Sequence, residues 1–285
     1  MGICLIMDNP ETRRHPVIAV VLQKLSARHA VRLLDVRLLS GDQAIALENA
    51  QPLADLYLLK SHTPQALELA HYLEQRGARV VNSWASSVAC QNRLLMSERM
   101  EQAGLPWPRT QYYLSLAQLL HDSDALATLV FPLIIKSRYN HRGDLVGKIA
   151  SLAELQAFSP AWGQESIVLQ EFMANDGWDI KLWAVEEQVF AARRRTPLAP
   201  GASKQNIPLT ADELPATWVQ LATEVGRTFN LRIYGVDLLL TEQGPVIVDV
   251  NSFPGFQGAP GADDVLVAWI ERFLQAPKQE GQTQT

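Results

Sequence analysis

Residues 246–258 read VIVDVNSFPGFQG. The run opens like a buried strand, yet it carries Asp249. Asn251 follows on the same side, because side chains of an extended chain alternate with a period of two. A carboxylate in an apolar strand is costly unless a cation or hydrogen-bond donors meet it. The preceding run, GVDLLL at 235–240, has its own carboxylate, Asp237, and the polar turn TEQG at 241–244 joins the two. Adjacent strands connected in this way form a hairpin in which Asp237 and Asp249 can face each other. Two carboxylates and an amide oxygen then gather at one spot, where like charges repel unless a cation intervenes. Magnesium fits such hard oxygen donors and completes its shell with water and substrate phosphates. The other reading makes Asp237 a turn cap and Asp249 a paired core carboxylate. The alignment of three oxygen donors favours Asp237, Asp249 and Asn251 as a metal set.

The chain has 285 residues, 47% hydrophobic and 19% charged, with a net charge of −5. That length supports one large domain or two. The acidic balance argues against a general nucleic-acid binder. Cys4 and Cys90 are far apart and lack metal-ligand spacing, which fits reduced core thiols in a cytoplasmic protein. GICLIMD at the start lacks a basic region and a small-residue cleavage site, so it reads as a first strand and not a signal peptide. No apolar run approaches the roughly 18 residues of a membrane span. The polar tail 276–285 is expected to be disordered.

The first third alternates strand and helix patterns: strands at 2–7, 31–36, 53–60 and 79–82, helices at 16–29 and 63–76. This alternation implies a mostly parallel sheet. No G-x-G-x-x-G follows the first strand, so nothing there supports a dinucleotide site. Residues 87–103 read as one helix, stopped by Gly104, Pro106 and Pro108. Strands are expected at 130–136, 146–149, 166–172, 179–185 and 188–193, a helix at 218–229, the hairpin at 233–250 and a last helix at 264–274. The later two-thirds is therefore α+β, and the boundary falls near 82–87.

With these residues in view, the chain resembles the ATP-grasp superfamily, whose pattern is an acid on one strand, acid-x-Asn on the next, then a small-residue–Pro–Gly turn. Here these are Asp237, Asp249, Asn251 and NSFPG. The resemblance runs from the first strand to Leu274. It implies an α/β plus α+β fold: a Rossmann-like pre-grasp domain at 1–84 and a two-lobed ATP-grasp domain at 85–275, with lobes at about 85–165 and 166–275. Fold alone does not give function, so the match is followed by residue. ACQNRLLMSERMEQAGLPWPRT resembles the family's N/D-K segment ending G-x-P-x-P-x-T, which makes Arg93 a phosphate contact; a solvated helix residue is the other reading. Lys136, ending FPLIIK, becomes a phosphate clamp. Gln170, Glu171, Phe172 and Met173 of VLQEFMAND resemble the hinge beside adenine, although the apolar pair could be plain core. GWDIKLWAV resembles G-x-D-x-R, with Asp179 towards the ribose or a basic neighbour. Lys181 stands for the usual Arg near the γ-phosphate, a point charge in place of a fork. In AARRRTP, Arg193 and Arg195 share one face and Arg194 takes the other; Arg193 best fits the family's basic catalytic position. SRYNHRGDLVGK resembles the flexible loop over the phosphates. It has only Gly143 and Gly147, and Arg138, His141, Arg142 and Lys148 make it basic.

The resemblance implies two activities. One is a glutamate-ligase-type enzyme that uses ATP and Mg2+ (Mn2+ as an alternative) to join a carboxylate to an amine through an acylphosphate. Its catalytic residues would be Arg193, Lys181 and His141. The other is a small-molecule kinase like the inositol-phosphate kinases. That branch is favoured by Asp249 where ligases usually have Glu, by Phe253 in the turn and by KSRYNHRG, with Arg138, His141, Arg142, Arg194 and Lys204 meeting a polyanion. A nucleotide-binding regulatory module is a third reading, disfavoured by the intact metal and phosphate positions. The acceptor is a small molecule, amino acid or peptide, with Arg13, Arg14, His15, Ser61 and His62 as loop candidates against ordinary loop polarity. No nucleic-acid or membrane partner is expected, and related enzymes are often homo-oligomers.

Overall fold

The structure is a computed structural model and describes residues 1–139, 145–195 and 206–277. The chain divides into two compact units. One is Met1–Trp84 together with the segment from Gly255 onward; the other is Ala85–Pro254.

In the first unit, GICLIM and LYLL are apolar without alternation and become β1 (Gly2–Met7) and β3 (Leu56–Leu59), buried almost throughout. Such runs suit a parallel sheet covered on both faces. With β2 (Ala30–Asp35) and β4 (Val80–Val81) they form a parallel sheet in the order β2-β1-β3-β4. Helices α1 (Pro16–Ser26), α2 (Gly41–Asn49) and α3 (Pro64–Gln75) make the crossovers. Thr63 caps α3 by accepting from the Ala66 N–H at 3.3 Å, with Pro64 following in the first turn. The sequence reading passed over α2, whose start is marked by a capping box between Ser40 and Gln43.

A buried charge ties this sheet to α2. The Glu48 side chain is fully buried, accepts from the Tyr57 hydroxyl at 2.8 Å and is gripped by both terminal nitrogens of Arg32, one of them at 2.8 Å. Burial pushes the neighbouring Cys4 thiol up to about 12, which keeps it protonated.

The second unit begins with α4 (Trp84–Gln91) and α5 (Arg93–Gln102). One helix was expected here. Asn92 breaks it by taking an extended conformation, with φ −100° and ψ 103°, and capping the Leu94 N–H at 3.2 Å. Strand β5 (Thr110–Tyr113) follows, then the short helices α6 (Leu116–His121) and α7 (Ser123–Ala127). Next come β6 (Leu133–Ser137), β7 (Val146–Ile149), α8 (Leu152–Ala157), α9 (Ser159–Trp162) and β8 (Ile167–Glu171). These strands form an antiparallel sheet in the order β5-β8-β6-β7.

A five-stranded antiparallel sheet completes the unit. It comprises β9 (Trp178–Val185), β10 (Gln188–Arg195), β11 (Asn206–Leu209), β12 (Ile233–Thr241) and β13 (Gly244–Ser252), in the order β11-β10-β9-β12-β13. One of its faces packs Ile180, Leu182, Val236 and Leu238 with Ala222, Val225 and Phe229 of α10 (Ala216–Phe229). Gly226 is needed there, because a Cβ would stand 2.3 Å from the Tyr234 hydroxyl, which donates to the Ala222 carbonyl. The last helix, α11 (Ala262–Gln275), clusters with the first unit, where Lys24 of α1 meets Asp263 at 2.6 Å and Asp264 at 2.7 Å. The sequence reading had assigned that helix to the later domain. The tail expected to be disordered lies, from residue 278, outside the described residues.

Replacing Glu48 with Ala leaves Arg32 and Tyr57 facing a buried gap. The expected cost is about 3–5 kcal/mol, as for breaking a buried pair, read as a lower urea midpoint. An unchanged midpoint would contradict this account of the first unit.

Candidate active site

Strand register assembles the site. Lys181 of β9 pairs with Asp237 of β12, and Asp237 pairs with Asp249 of β13. One step along the same face, Arg194 of β10 pairs with Asp179 of β9, and Asp179 with Leu239. The register slips after this point: Asp237 opposes Asp249 but Leu238 opposes Ile247, so Val248 is an extra, bulged residue. A bulge re-aims side chains locally. Here it brings both Val248 and Asp249 to one cavity while Ile247 and Val250 stay in the core. The Val248 carbonyl accepts from Lys136 Nζ at 3.0 Å.

The smaller sheet supplies the opposite wall. Ile134 pairs with both Lys148 and Gln170, and Lys136 pairs with Val146, which puts these five residues on one face. All five line the same cavity of about 310 Å³. Glu171, Phe172 and Met173 line it at the connection between the sheets, and Arg93 and Pro108 line it from the α5 side. Thus most of the expected nucleotide residues converge: Arg93, Lys136, Gln170, Glu171, Phe172, Met173 and Asp179. Lys181 and Asn251 do not line the cavity but touch residues that do. Lys181 Nζ lies 2.5 Å from Asp237 Oδ1, and the Asn251 amide donates to Asp249 Oδ2 at 3.4 Å.

The electrostatics separate the two carboxylates. Burial opposes ionisation of Asp237, but Lys181 and then Arg194, 3.4 Å away, outweigh it and hold its pKa below the usual range. Burial also raises the pKa of Asp249; Arg93 and Lys136 counter it, the Asp237 charge adds to it, and the net direction is upward. Asp249 Oδ1 is buried and has no hydrogen-bond donor. A buried acceptor of this kind calls for a partner, and a divalent cation fits the oxygen set of Asp249, Asn251 and Asp237. Among the described residues no three His, Cys, Asp or Glu side chains form a metal cage. Two carboxylates and an amide leave the remainder of a magnesium shell to phosphate and water.

Several expectations are corrected. Arg193 lies on the face opposite the cavity, paired with Ile180 in register, 3.6 Å from Asp176 and against the Trp178 ring. Arg195 stacks on the same ring. Arg194 faces the cavity and bridges Asp179 at 3.3 Å to Asp237. Arg138 is engaged by Asn92 at 3.1 Å and the Tyr112 hydroxyl at 3.0 Å and does not line the cavity. His141, Arg142 and Lys204 lie outside the described residues. Ser61 is no exposed loop residue: it is fully buried and bonded to Thr63. Arg13 and Arg14 are exposed, and Arg14 faces Glu11 at 3.5 Å. Phe253 is buried, with φ 47°, and its N–H donates to the Ile233 carbonyl at 2.9 Å. It anchors the turn and does not line the cavity. Lys148 was expected in the basic loop over the phosphates; it is a strand residue of the cavity wall, 3.8 Å from the Phe172 ring centre. Its signal was the two-residue spacing from Val146, which places both on the face of Lys136.

Arg194→Ala should cut turnover about 100-fold, the scale of losing one charge-stabilising donor. Arg193→Ala should change it no more than about threefold, as for a surface change. Steady-state kinetics on both variants check the face assignment, and the reverse ranking would overturn it.

The description RimK-like ATP-grasp domain matches residues 91–267. A probable alpha-L-glutamate ligase 1 from Shewanella amazonensis is 28% identical over 227 residues, covering 73% of this chain and 72% of that protein. A RimK domain ATP-grasp protein from Sphaerobacter thermophilus superposes with a TM-score of 0.77 at 20% identity, covering 97% of this chain and 100% of the other. D-alanine–D-alanine ligase from Bacillus anthracis, complexed with ATP, gives 0.73 at 17% identity, with 96% of each chain covered. The fold is that of these ATP-grasp structures, and the match over more than half of its length makes the chain a member of the RimK-like ATP-grasp family.

Proposed function

We propose that this protein is an ATP-dependent carbon–nitrogen ligase that joins a carboxylate to an amine, with an acidic amino acid or peptide as acceptor. The observation that carries the proposal is the pair of opposed carboxylates, Asp237 and Asp249, at one end of a cavity that also holds Arg93, Lys136, Lys148 and Arg194. Apolar Ile134, Leu239, Phe172 and Met173 in the same cavity suit a flat base. No Ser, Cys or His is among its described lining residues, which agrees with chemistry that needs no protein nucleophile.

In this proposal a carboxylate oxygen of the substrate attacks the γ-phosphorus and ADP leaves. The amine then attacks the acyl carbon and gives up a proton. Phosphate departs with one of the original carboxylate oxygens. Asp237, Asp249 and Asn251 would hold Mg2+, which neutralises phosphate charge when bound. Lys136, Arg93 and Arg194 would fix the phosphates, and Gln170 with the backbone of 171–173 would border the base. Catalysis is then mainly positioning and charge stabilisation. The relatives' names as alpha-L-glutamate ligases support amide formation. Phe253, which had kept phosphoryl transfer to an alcohol under consideration, has a structural role, so that alternative loses a main support.

Incubation with ATP, Mg2+, L-glutamate and glutamate-terminated peptides labelled with 18O in the carboxylate should release phosphate carrying one 18O together with an amide product. Label-free phosphate, or a phosphorylated alcohol without phosphate release across an added polyol panel, would contradict the ligase assignment.

A further inference from the structure

Thr110, the first residue of β5, and Trp107 are not among the described residues that line the cavity of the second unit. Both nevertheless act on Gln170, which lines it and is only 3% exposed. Thr110 stands directly opposite Gln170 in the pairing of β5 with β8. On the other side of Gln170 the register places Ile134 of β6, an apolar member of the same wall. The Gln170 amide therefore sits at the edge of an apolar surface suited to a flat base, with Thr110 behind it.

The hydrogen bonds around Thr110 have one consistent direction. Its hydroxyl donates its single proton to the Pro108 carbonyl at 2.8 Å, since a carbonyl only accepts. The Trp107 indole N–H donates to the same hydroxyl oxygen at 3.1 Å, since an indole nitrogen only donates. With its proton committed, the Thr110 hydroxyl can take only another donor. The Gln170 amide supplies one, with Nε2 at 3.0 Å. Turned over, the amide would set oxygen against oxygen with no proton between them. Trp107 is held in turn: its N–H is shared with Ser97 Oγ at 3.1 Å, and that hydroxyl donates to the Arg93 carbonyl at 2.8 Å. Residues outside the cavity thus fix the Gln170 amide, and its carbonyl oxygen is the end left for the cavity.

A fixed acceptor at the edge of a base pocket has a chemical consequence. Adenine carries a donor amino group at position 6, whereas guanine and hypoxanthine carry an acceptor oxygen there. An amide free to turn would serve either kind; an amide fixed by Thr110 serves one. We propose that Thr110, braced by Trp107, is a positioning residue that makes the site selective for 6-aminopurine over 6-oxopurine nucleotides, with the Gln170 oxygen reading position 6. This rests on the reading of the cavity as the nucleotide site, and it adds the residues that decide which nucleotide is taken.

The test is a calorimetric titration of the intact protein, without acceptor, with ATP, ITP and the triphosphate of unsubstituted purine riboside, which has neither group at position 6. Wild type should bind ATP about tenfold or more tighter than ITP, the scale of a buried polar group facing no partner. Thr110→Val releases the amide and should shrink that ratio by about fivefold or more, the scale of one neutral hydrogen bond. Thr110→Ser keeps the hydroxyl and should keep the ratio, whereas Gln170→Leu should lose it. The purine riboside triphosphate should bind wild type and Thr110→Val alike. Equal affinity of wild type for ATP and ITP, or an unchanged ratio in Thr110→Val, would overturn the proposal. So would an equal loss for all three nucleotides in that variant, which would mark Thr110 as merely structural. Failure of all three to bind wild type would defeat the nucleotide reading of the cavity and this proposal with it. A protein that keeps the ratio yet forms no amide would defeat the ligase reading and leave the role of Thr110 standing.

Discussion

Asp237 and Asp249 face each other across two antiparallel strands, and much of the second unit makes that pairing tolerable. Two unit charges about 5 Å apart repel by about 3 kcal/mol at an effective dielectric near 20. Burial adds a desolvation cost to each. The structure answers with cations placed by register: Lys181 beside Asp237 on the neighbouring strand, and Arg194 one strand further. The charges of Arg93 and Lys136 favour the ionised form of Asp249 but do not overcome its burial. Asp237 is thereby held charged, whereas Asp249 is left with a buried oxygen that has no donor. At that imbalance a divalent cation would contribute most.

The same constraint explains the local irregularities. A regular hairpin would send Val248 and Asp249 to opposite faces. The bulge at Val248 gives both to the cavity and exposes a carbonyl that holds Lys136. The turn after Asn251 is set by Phe253, a buried aromatic in a left-handed backbone conformation that costs of order 1–3 kcal/mol. Burial of its ring offsets that strain. On β10, the alternation that directs Arg194 inward sends Arg193 and Arg195 to Trp178, where they brace the start of β9.

Much of this was legible in the sequence, because it depends on periodicity. The period of two in GVDLLL and VIVDVN fixed the facing carboxylates, and the apolar runs GICLIM and LYLL fixed the parallel sheet. The separation of Arg194 from its neighbours was legible too. Which side faced the cavity was not, because that depends on how β10 pairs with β9, a long-range choice that three consecutive arginines do not encode. Asn92 broke an otherwise helical pattern because its side chain offers the backbone a cap that competes with helix continuation. Lys148 was legible as a basic residue on a short strand, but its place on the cavity wall depends on the long-range pairing with Ile134.

The central claim is that Asp249 belongs to the metal and its bound phosphates. Calorimetric titration of ATP into the protein, with and without Mg2+, tests it most directly in wild type and Asp249→Asn. Asn is isosteric and removes a charge that burial already disfavours, so far-UV circular dichroism should not change. The account predicts that Mg2+ tightens ATP binding to wild type by about tenfold or more, a difference of ~1.4 kcal/mol, and that Asp249→Asn loses this gain while keeping its metal-free affinity. An equal Mg2+ gain in both proteins would contradict it.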